Sequence, residues 1–234
     1  AHIFQAYMWQ VQLYTPLSLG LQETATIYIK MLHPFELNGG FDMGTAQPIR
    51  NEKELEAFRK YYLEQKQNYR NYALICLGVN SALRISDILK LKWSDVYDAK
   101  KRCFRKHIII TEKKTGKENR IAINSNTKMG LQIYLNSLHY FDVDEYIFAG
   151  QKEHSHLCRS QAFRIVKQAA QSLNMEDRIS CHSMRKTFGY YAWKYGTQPA
   201  VLMDIYNHSS YEITKRYLGI KQDDKDSVFL SINL

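Results

Sequence analysis

His107-Ile-Ile-Ile-Thr-Glu-Lys-Lys-Thr-Gly-Lys-Glu-Asn-Arg-Ile-Ala-Ile123 is the stretch that separates an all-helical chain from a mixed one. Four of its first five residues are β-branched, and five are too few for a stable helix. Thr115-Gly116 supplies a turn, and Arg120-Ile-Ala-Ile123 returns as a partner strand, so the segment predicts an antiparallel hairpin. It is the one sheet element the sequence points to with a complete strand–turn–strand pattern.

On both sides of the hairpin the period is helical. Asn51 followed by Glu54 has the form of a helix N-cap with a glutamate three residues on, and opens a helix through about Gln65. Leu55, Phe58 and Tyr62 share one face of it. Asn71 to Val79 reads as a second, largely buried helix. Ser86 can cap a short third one, Asp87 to Leu91. Further helices are expected at about 126–138, 159–173, 183–195, 199–206 and 210–217, with Ser160 as a cap of the second and Pro199 in the first turn of the fourth. The fold class is mainly α with a small antiparallel β-sheet (α+β). There is no internal repeat and no low-complexity tract.

The chain has 234 residues and a formal charge of +9. Residues 1–42 hold only Lys30 against Glu23, Glu36 and Asp42, so the whole positive excess falls after them. Such an excess favours a polyanionic partner whose binding weakens with salt; on its own it equally describes a solvated basic surface. The four cysteines form no C-x-x-C pair, Cys76 sits in an apolar run as a core residue, and nothing indicates a disulfide framework, which fits a reducing cytoplasm. His154-x-His156-x-Cys158 lacks a second ligand group at a matching distance and reads as a polar loop rather than a metal site. No apolar run of about 18 residues predicts a membrane span, and the N-terminus lacks the basic-then-apolar order of a signal peptide. Residues 1–42 are nearly uncharged and rich in aromatic and aliphatic residues. They fit either a small layer packed on the main domain or an extension ahead of a functional chain starting near Met43; the second reading is adopted.

Against this frame stands an ordered set of reactive side chains: Arg84, Lys114, His182, Arg185, His208 and Tyr217. A phosphodiester resists attack because its oxygens are negative and its alkoxide leaves poorly. Cleavage needs cations on the non-bridging oxygens and a proton for the leaving group. A guanidinium donates two parallel hydrogen bonds and stays charged. Arg84 precedes a short helix and Arg185 lies in the opening turn of another. His182, three residues earlier, shares its helical face. Lys114 stands at a hairpin tip that can reach into a groove. Tyr217 can attack phosphorus once a base or a positive field helps to remove its proton. Taken singly, each of these residues is more often structural: a packing tyrosine, an ion-paired arginine, a solvated lysine. It is their order that points to phosphoryl transfer.

Residues 43 to 218 resemble the catalytic domain of the tyrosine recombinases, the phage integrase family. Ser81-Ala-Leu-Arg-Ile-Ser-Asp87 is similar to that family's first-arginine box, Lys114-Thr-Gly to its hairpin lysine, and His182-Ser-Met-Arg185 to its H-x-x-R. Asn207-His-Ser-Ser210 resembles its Gly-His-Ser-Ser element with Asn in place of Gly, and Tyr217 falls where its nucleophile stands. The resemblance implies the tyrosine recombinase catalytic-domain fold and a site-specific recombinase or integrase acting on double-stranded DNA. Tyr217 would form a 3′-phosphotyrosyl link, Arg84, Arg185 and His208 would stabilise the transition state, Lys114 would protonate the leaving 5′ oxygen and His182 would assist proton transfer or orient the phosphate. No cofactor, metal or ATP is implied, because the covalent link conserves bond energy. The expected assembly is a homotetramer on paired DNA sites, with accessory DNA-bending proteins as further partners. On this reading 43–222 is the catalytic domain, 1–42 is an extension too short for the family's usual core-binding domain, and 223–234 is a tail that docks on its own domain or on a neighbouring protomer. The alternatives are a DNA-binding accessory factor without catalysis and a topoisomerase-like nicking-resealing enzyme.

Overall fold

Asn51 opens α1 (Glu52–Glu64), the first helix among the described residues, as its sequence predicts: its side chain accepts from the backbone N–H groups of Lys53 at 2.9 Å and Glu54 at 3.3 Å. The computed structural model describes residues 46–111, 116, 118–175, 178–220 and 222–232. The expectations for residues 1–42 and for Lys114 lie outside them.

Helix α2 (Tyr69–Asn80) is buried at every position from Asn71 to Val79. A helix apolar on all sides must be central, and α2 packs against α1 on one side and against two later helices on the others. Two single-turn helices follow, α3 (Ile85–Ile88) and α4 (Trp93–Val96). The short helix after α2 therefore starts earlier than expected. Arg84 occupies its N-cap position and Ser86 lies inside it, because the backbone turns helical directly after Arg84 (φ −73°, ψ 145°).

A small ribbon missing from the sequence reading pairs β1 (Tyr97–Asp98) with β2 (Cys103–Phe104). Two-residue strands carry no period to detect, and what holds them is the edge-to-face packing of Tyr97 on Phe104, with ring centroids 5.3 Å apart. The expected hairpin is present: β3 (His107–Thr111) pairs antiparallel with β4 (Glu118–Ala122), with Ile108 opposite Ile121 and Ile109 opposite Arg120. Ile108 is buried and Ile109 exposed, the alternation of a sheet with one face on a core.

The remaining elements are α5 (Ser125–Asn136), α6 (Arg159–Ser172), α7 (Cys181–Lys194), α8 (Pro199–Tyr206), α9 (Tyr211–Leu218) and α10 (Gln222–Ser231). Cys158, not Ser160, is the N-cap of α6; its backbone N–H donates to the Gln161 side chain at 2.9 Å. Pro199 stands in the first turn of α8 as predicted.

Two large clusters form the core. One surrounds Trp93, Leu74, Leu77 and Phe148; the other surrounds Phe58, Tyr62, Ile75, Cys76 and Met184. A third, much smaller cluster of Ala82, Leu202, Tyr206 and Leu218 lies beneath the reactive residues. Few buried contacts hold α8 and α9, so this end of the domain opens at lower cost than the α2 core. The strand-like entry segment 46–50 is strapped across α7: Ile49 N–H donates to Thr187 Oγ1 at 2.9 Å, and the Tyr191 hydroxyl donates to the Arg50 carbonyl at 2.9 Å. The Arg50 guanidinium in turn donates to the carbonyl of Gly219, the residue that ends α9.

Candidate active site

Helix α7 is the platform. Ser180 caps it, accepting from His182 N–H at 3.2 Å while its own N–H donates to Ser183 Oγ at 3.0 Å. This reciprocal cap starts the helix at Cys181, two residues before the expected position. His182, Arg185, Lys186 and Gly189 then fall on one face. Arg185 is buried. Its Nη1 donates to the Ala82 carbonyl, its guanidinium carbon lies 4.7 Å over the Tyr206 ring, and the Tyr206 hydroxyl donates back to the Arg185 carbonyl at 2.7 Å. The planar cation is thereby held by the Ala82 carbonyl and the Tyr206 ring, and Tyr206 is tied in turn to the Arg185 backbone.

Arg84, half-buried at the N-cap of α3, acts with Arg185 on the same three groups: both arginines bias the titration of His182, His208 and Tyr217. His182 is exposed at the start of α7. Loss of water around its ring, then the charges of Lys186, Arg185 and Arg84, hold its pKa below the usual histidine value.

Asn207 ends α8 in the left-handed conformation, φ 54° and ψ 49°. Asparagine tolerates that region better than most residues with a Cβ, which is how this chain makes the turn that the resemblance assigns to glycine. The N–H of His208 then bonds to Met203 O at 2.9 Å, closing the helix end. His208 Nδ1 lies 3.1 Å from Thr214 Oγ1, whose own proton goes to the Ser210 carbonyl at 3.3 Å. With that hydroxyl donating to Ser210, Nδ1 of the neutral ring donates to Thr214 and Nε2 is left as its basic nitrogen; with the hydroxyl turned to the ring, the roles reverse. Burial first, then Arg185 and Arg84, lower the His208 pKa and favour that neutral form.

Tyr217 lies in the last turn of α9. Its ring meets the ring of His208 edge-to-face at 5.3 Å and that of Tyr206 at 5.3 Å, and Lys186 Nζ stands 5.2 Å from its centroid. Gly189 lets α9 come this close: a Cβ there would lie 2.4 Å from Leu218 Cδ2 and 2.4 Å from the Tyr206 hydroxyl. Burial raises the Tyr217 pKa, while the charge and hydrogen bond of Arg185, and then the charge of Arg84, pull it down; burial dominates. The phenol therefore stays protonated in the DNA-free protein.

Arg84, His182, Arg185, His208 and Tyr217 thus gather around one end of α7. Lys114 is outside the described residues. Sequence reasoning passed over Tyr206, Thr214 and Lys186. Each had a signal only in hindsight of the fold: Thr214 stands one turn before Tyr217, and Lys186 one turn after His182. His154 and His156 are engaged elsewhere, with Glu145 and with the Leu157 carbonyl.

Two arginines, a buried lysine, two histidines held toward their neutral form and a phenol make a set with the donors and charge that a phosphodiester calls for, and known sequences supply the class. The chain is 38% identical over 181 residues to the probable integrase/recombinase YoeC of Bacillus subtilis (strain 168), a match covering 77% of this chain and 93% of YoeC. The sequence profile described as the phage integrase family matches residues 50–223. The chain belongs to this family, the tyrosine recombinases, and is a DNA strand-cleaving and rejoining enzyme by class. Solved structures share the fold. The XerA recombinase superposes with a TM-score of 0.64 at 17% identity, covering 98% of this chain and 81% of XerA. The XerH recombinase bound to palindromic difH, a post-cleavage complex, superposes with a TM-score of 0.63 at 20% identity, covering 79% of this chain and 53% of XerH.

Proposed function

We propose that this chain performs site-specific recombination through Tyr217. The phenol oxygen attacks the scissile phosphorus, a phosphorus–oxygen bond to Tyr217 forms, and the bond to the 5′ oxygen breaks. The phenol proton passes to the basic Nε2 of His208, and the departing 5′ oxygen takes a proton from Lys114. Arg84 and Arg185 bind the non-bridging oxygens as charge develops, and His182 orients the phosphate or assists proton transfer. A 5′-hydroxyl from another strand reverses these steps and releases the tyrosine. The ester conserves the bond energy, and the guanidinium pair carries the charge stabilisation, so the reaction runs without ATP or metal.

The observation carrying this reading is that the Tyr217 ring packs against His208, Tyr206 and the Lys186 ammonium, while the Arg185 guanidinium lies over that same Tyr206 ring. A suicide duplex with a phosphorothiolate at the cleavage site tests it. The native chain should form a denaturation-stable protein–DNA adduct and Tyr217→Phe should form none. An adduct that survives in Tyr217→Phe would refute the assignment, and an unreactive native chain that still binds DNA would favour an accessory factor. Transfer between two duplexes separates strand exchange from nicking and resealing.

The domain reading is part of the same proposal: 43–222 forms the catalytic domain, 1–42 an extension, and 223–234 a tail. The tail is anchored at its start, where the Tyr190 hydroxyl lies 3.1 Å from Asp224 Oδ1. Further on, Phe229 and Leu230 are 76% and 85% exposed. An apolar end on an anchored helix suits docking on a neighbouring protomer in a tetramer assembled on paired DNA sites. Beside α7, a cleft of about 530 Å³ with Leu55, Val79, Phe188 and Tyr191 together with Glu52 and Arg59 in its lining could receive it.

A further inference from the structure

Lys186 is a charged side chain that is only 6% exposed. Among the described residues it has no carboxylate partner within ion-pair distance, and the contact its ammonium makes is with the ring of Tyr217, at 5.2 Å from Nζ to the centroid. Burying a cation costs stability unless an anion or a dense set of acceptors compensates. An uncharged aromatic face returns only part of that cost. A leucine or methionine would fill the same space without the penalty. The position therefore holds a charge for which the resting protein shows no structural need.

The need arises during the reaction. As Tyr217 loses its proton, the ring face beneath Lys186 becomes the face of a phenolate, and a contact worth little in the resting state strengthens as negative charge develops. An interaction that grows toward the transition state accelerates the step. Arg185 cannot serve both ends of the reaction equally. In the resting protein its guanidinium is engaged by the Ala82 carbonyl and the Tyr206 ring, and once a phosphate enters its donors turn to the phosphate oxygens. Lys186, lying against the ring face of Tyr217, remains with the phenol.

We propose that Lys186 is a positioning residue for the nucleophile, holding the Tyr217 ring in register and stabilising its phenolate as Arg185 transfers to the phosphate. This rests on Tyr217 being the nucleophile. The groups facing that phenol are Lys186 and Arg185 from α7, Arg84 from the start of α3, Tyr206 from α8, and His208 from the loop before α9. All except Lys186 are unchanged in the test.

The experiment measures adduct formation on the phosphorothiolate duplex across pH, with thermal melting and DNA affinity in parallel, for Lys186→Met, Lys186→Gln and Lys186→Arg. The two neutral variants should melt at or above the native temperature, because an unpaired buried charge is removed, and should bind DNA within about twofold of the native chain. Their adduct rate should fall about tenfold or more near neutrality. The alkaline-rising limb of the rate should move to higher pH, since the phenol now ionises with less help. Lys186→Arg should restore the limb. A purely structural lysine would lower the melting temperature and leave the limb in place, which would overturn the proposal. So would a neutral variant with native rate and native pH dependence. If Tyr217→Phe still forms the adduct, the reading of the nucleophile fails instead, and the two failures are distinct.

Discussion

Arg185 donates to the carbonyl of Ala82, and Ala82 stands in the left-handed region at φ 54°. An alanine held there costs on the order of 1 kcal/mol. The conformation turns the chain sharply after α2 and presents that carbonyl to α7. Arg84 follows two residues later. The bond therefore sets the position of one reactive arginine by the backbone that carries the other, across 103 residues of sequence.

Arg185→Lys tests the fork. Lysine keeps a positive charge but cannot hold the Ala82 carbonyl and cover the Tyr206 ring together as a planar fork does. Adduct formation should fall by about a hundredfold or more, with DNA affinity changed far less. Equal losses in both would show that the residue binds DNA uniformly rather than acting on the reacting phosphate.

Gly189→Ala tests the approach of α9. The added Cβ meets the side-chain ends of Leu218 and Tyr206 at distances no packed methyl tolerates, so both must move. The expected cost is about 1–3 kcal/mol in urea denaturation, with slower adduct formation as Tyr206, which packs on Arg185 and on Tyr217, is displaced. Native stability together with native rate would mean that α9 has room the structure does not show.

Asn207 is tested by two substitutions. Asn207→Ala places a less tolerant residue at φ 54° and should cost about 1 kcal/mol. Asn207→Gly should not lose stability, since glycine enters that region freely. If both behave alike in denaturant titrations, the conformation of this turn is not what limits the choice of residue.

Stability should depend on pH through the two site histidines. The folded pKa values of His182 and His208 lie below 6.5. As pH falls, the unfolded chain takes up these protons first, so stability is intact above 6.5 and is lost as pH drops through the folded values. The melting temperature should decline on acidification, and the decline should be shallower in His182→Gln/His208→Gln. An unchanged acid limb in the double variant would place the titration elsewhere.

Phe229→Asp with Leu230→Asp tests the tail. Both side chains are exposed in the protomer, so folding and single-site binding should persist while assembly on paired DNA sites is lost in sedimentation or native-gel experiments. Unimpaired assembly would remove the tail from the interface.

Helix caps and periods were legible because they are local. Asn51 bonds to residues two and three positions away, Pro199 suits the turn it opens, and the β3–β4 hairpin follows from alternation around a Gly turn. Where local signals compete, the reading slipped. Ser86 and Ser160 each looked like caps, but the backbone turned helical at Arg84 and Cys158 instead. The β1–β2 ribbon was invisible because an aromatic contact, not a pattern, holds it.

The sequence by itself determined the family of reactive groups, their order along the chain and the secondary structure on which most of them ride, since these depend on residue type and near neighbours. Only the tertiary structure decided that Arg185 is locked between Ala82 and Tyr206, that Thr214 bonds the His208 ring, and that Lys186 lies buried against Tyr217. Those contacts join α7 to the turn after α2 and to the α8–α9 end of the chain. Their energies come from burial and from the loss of water around charges, which no local pattern of residues encodes.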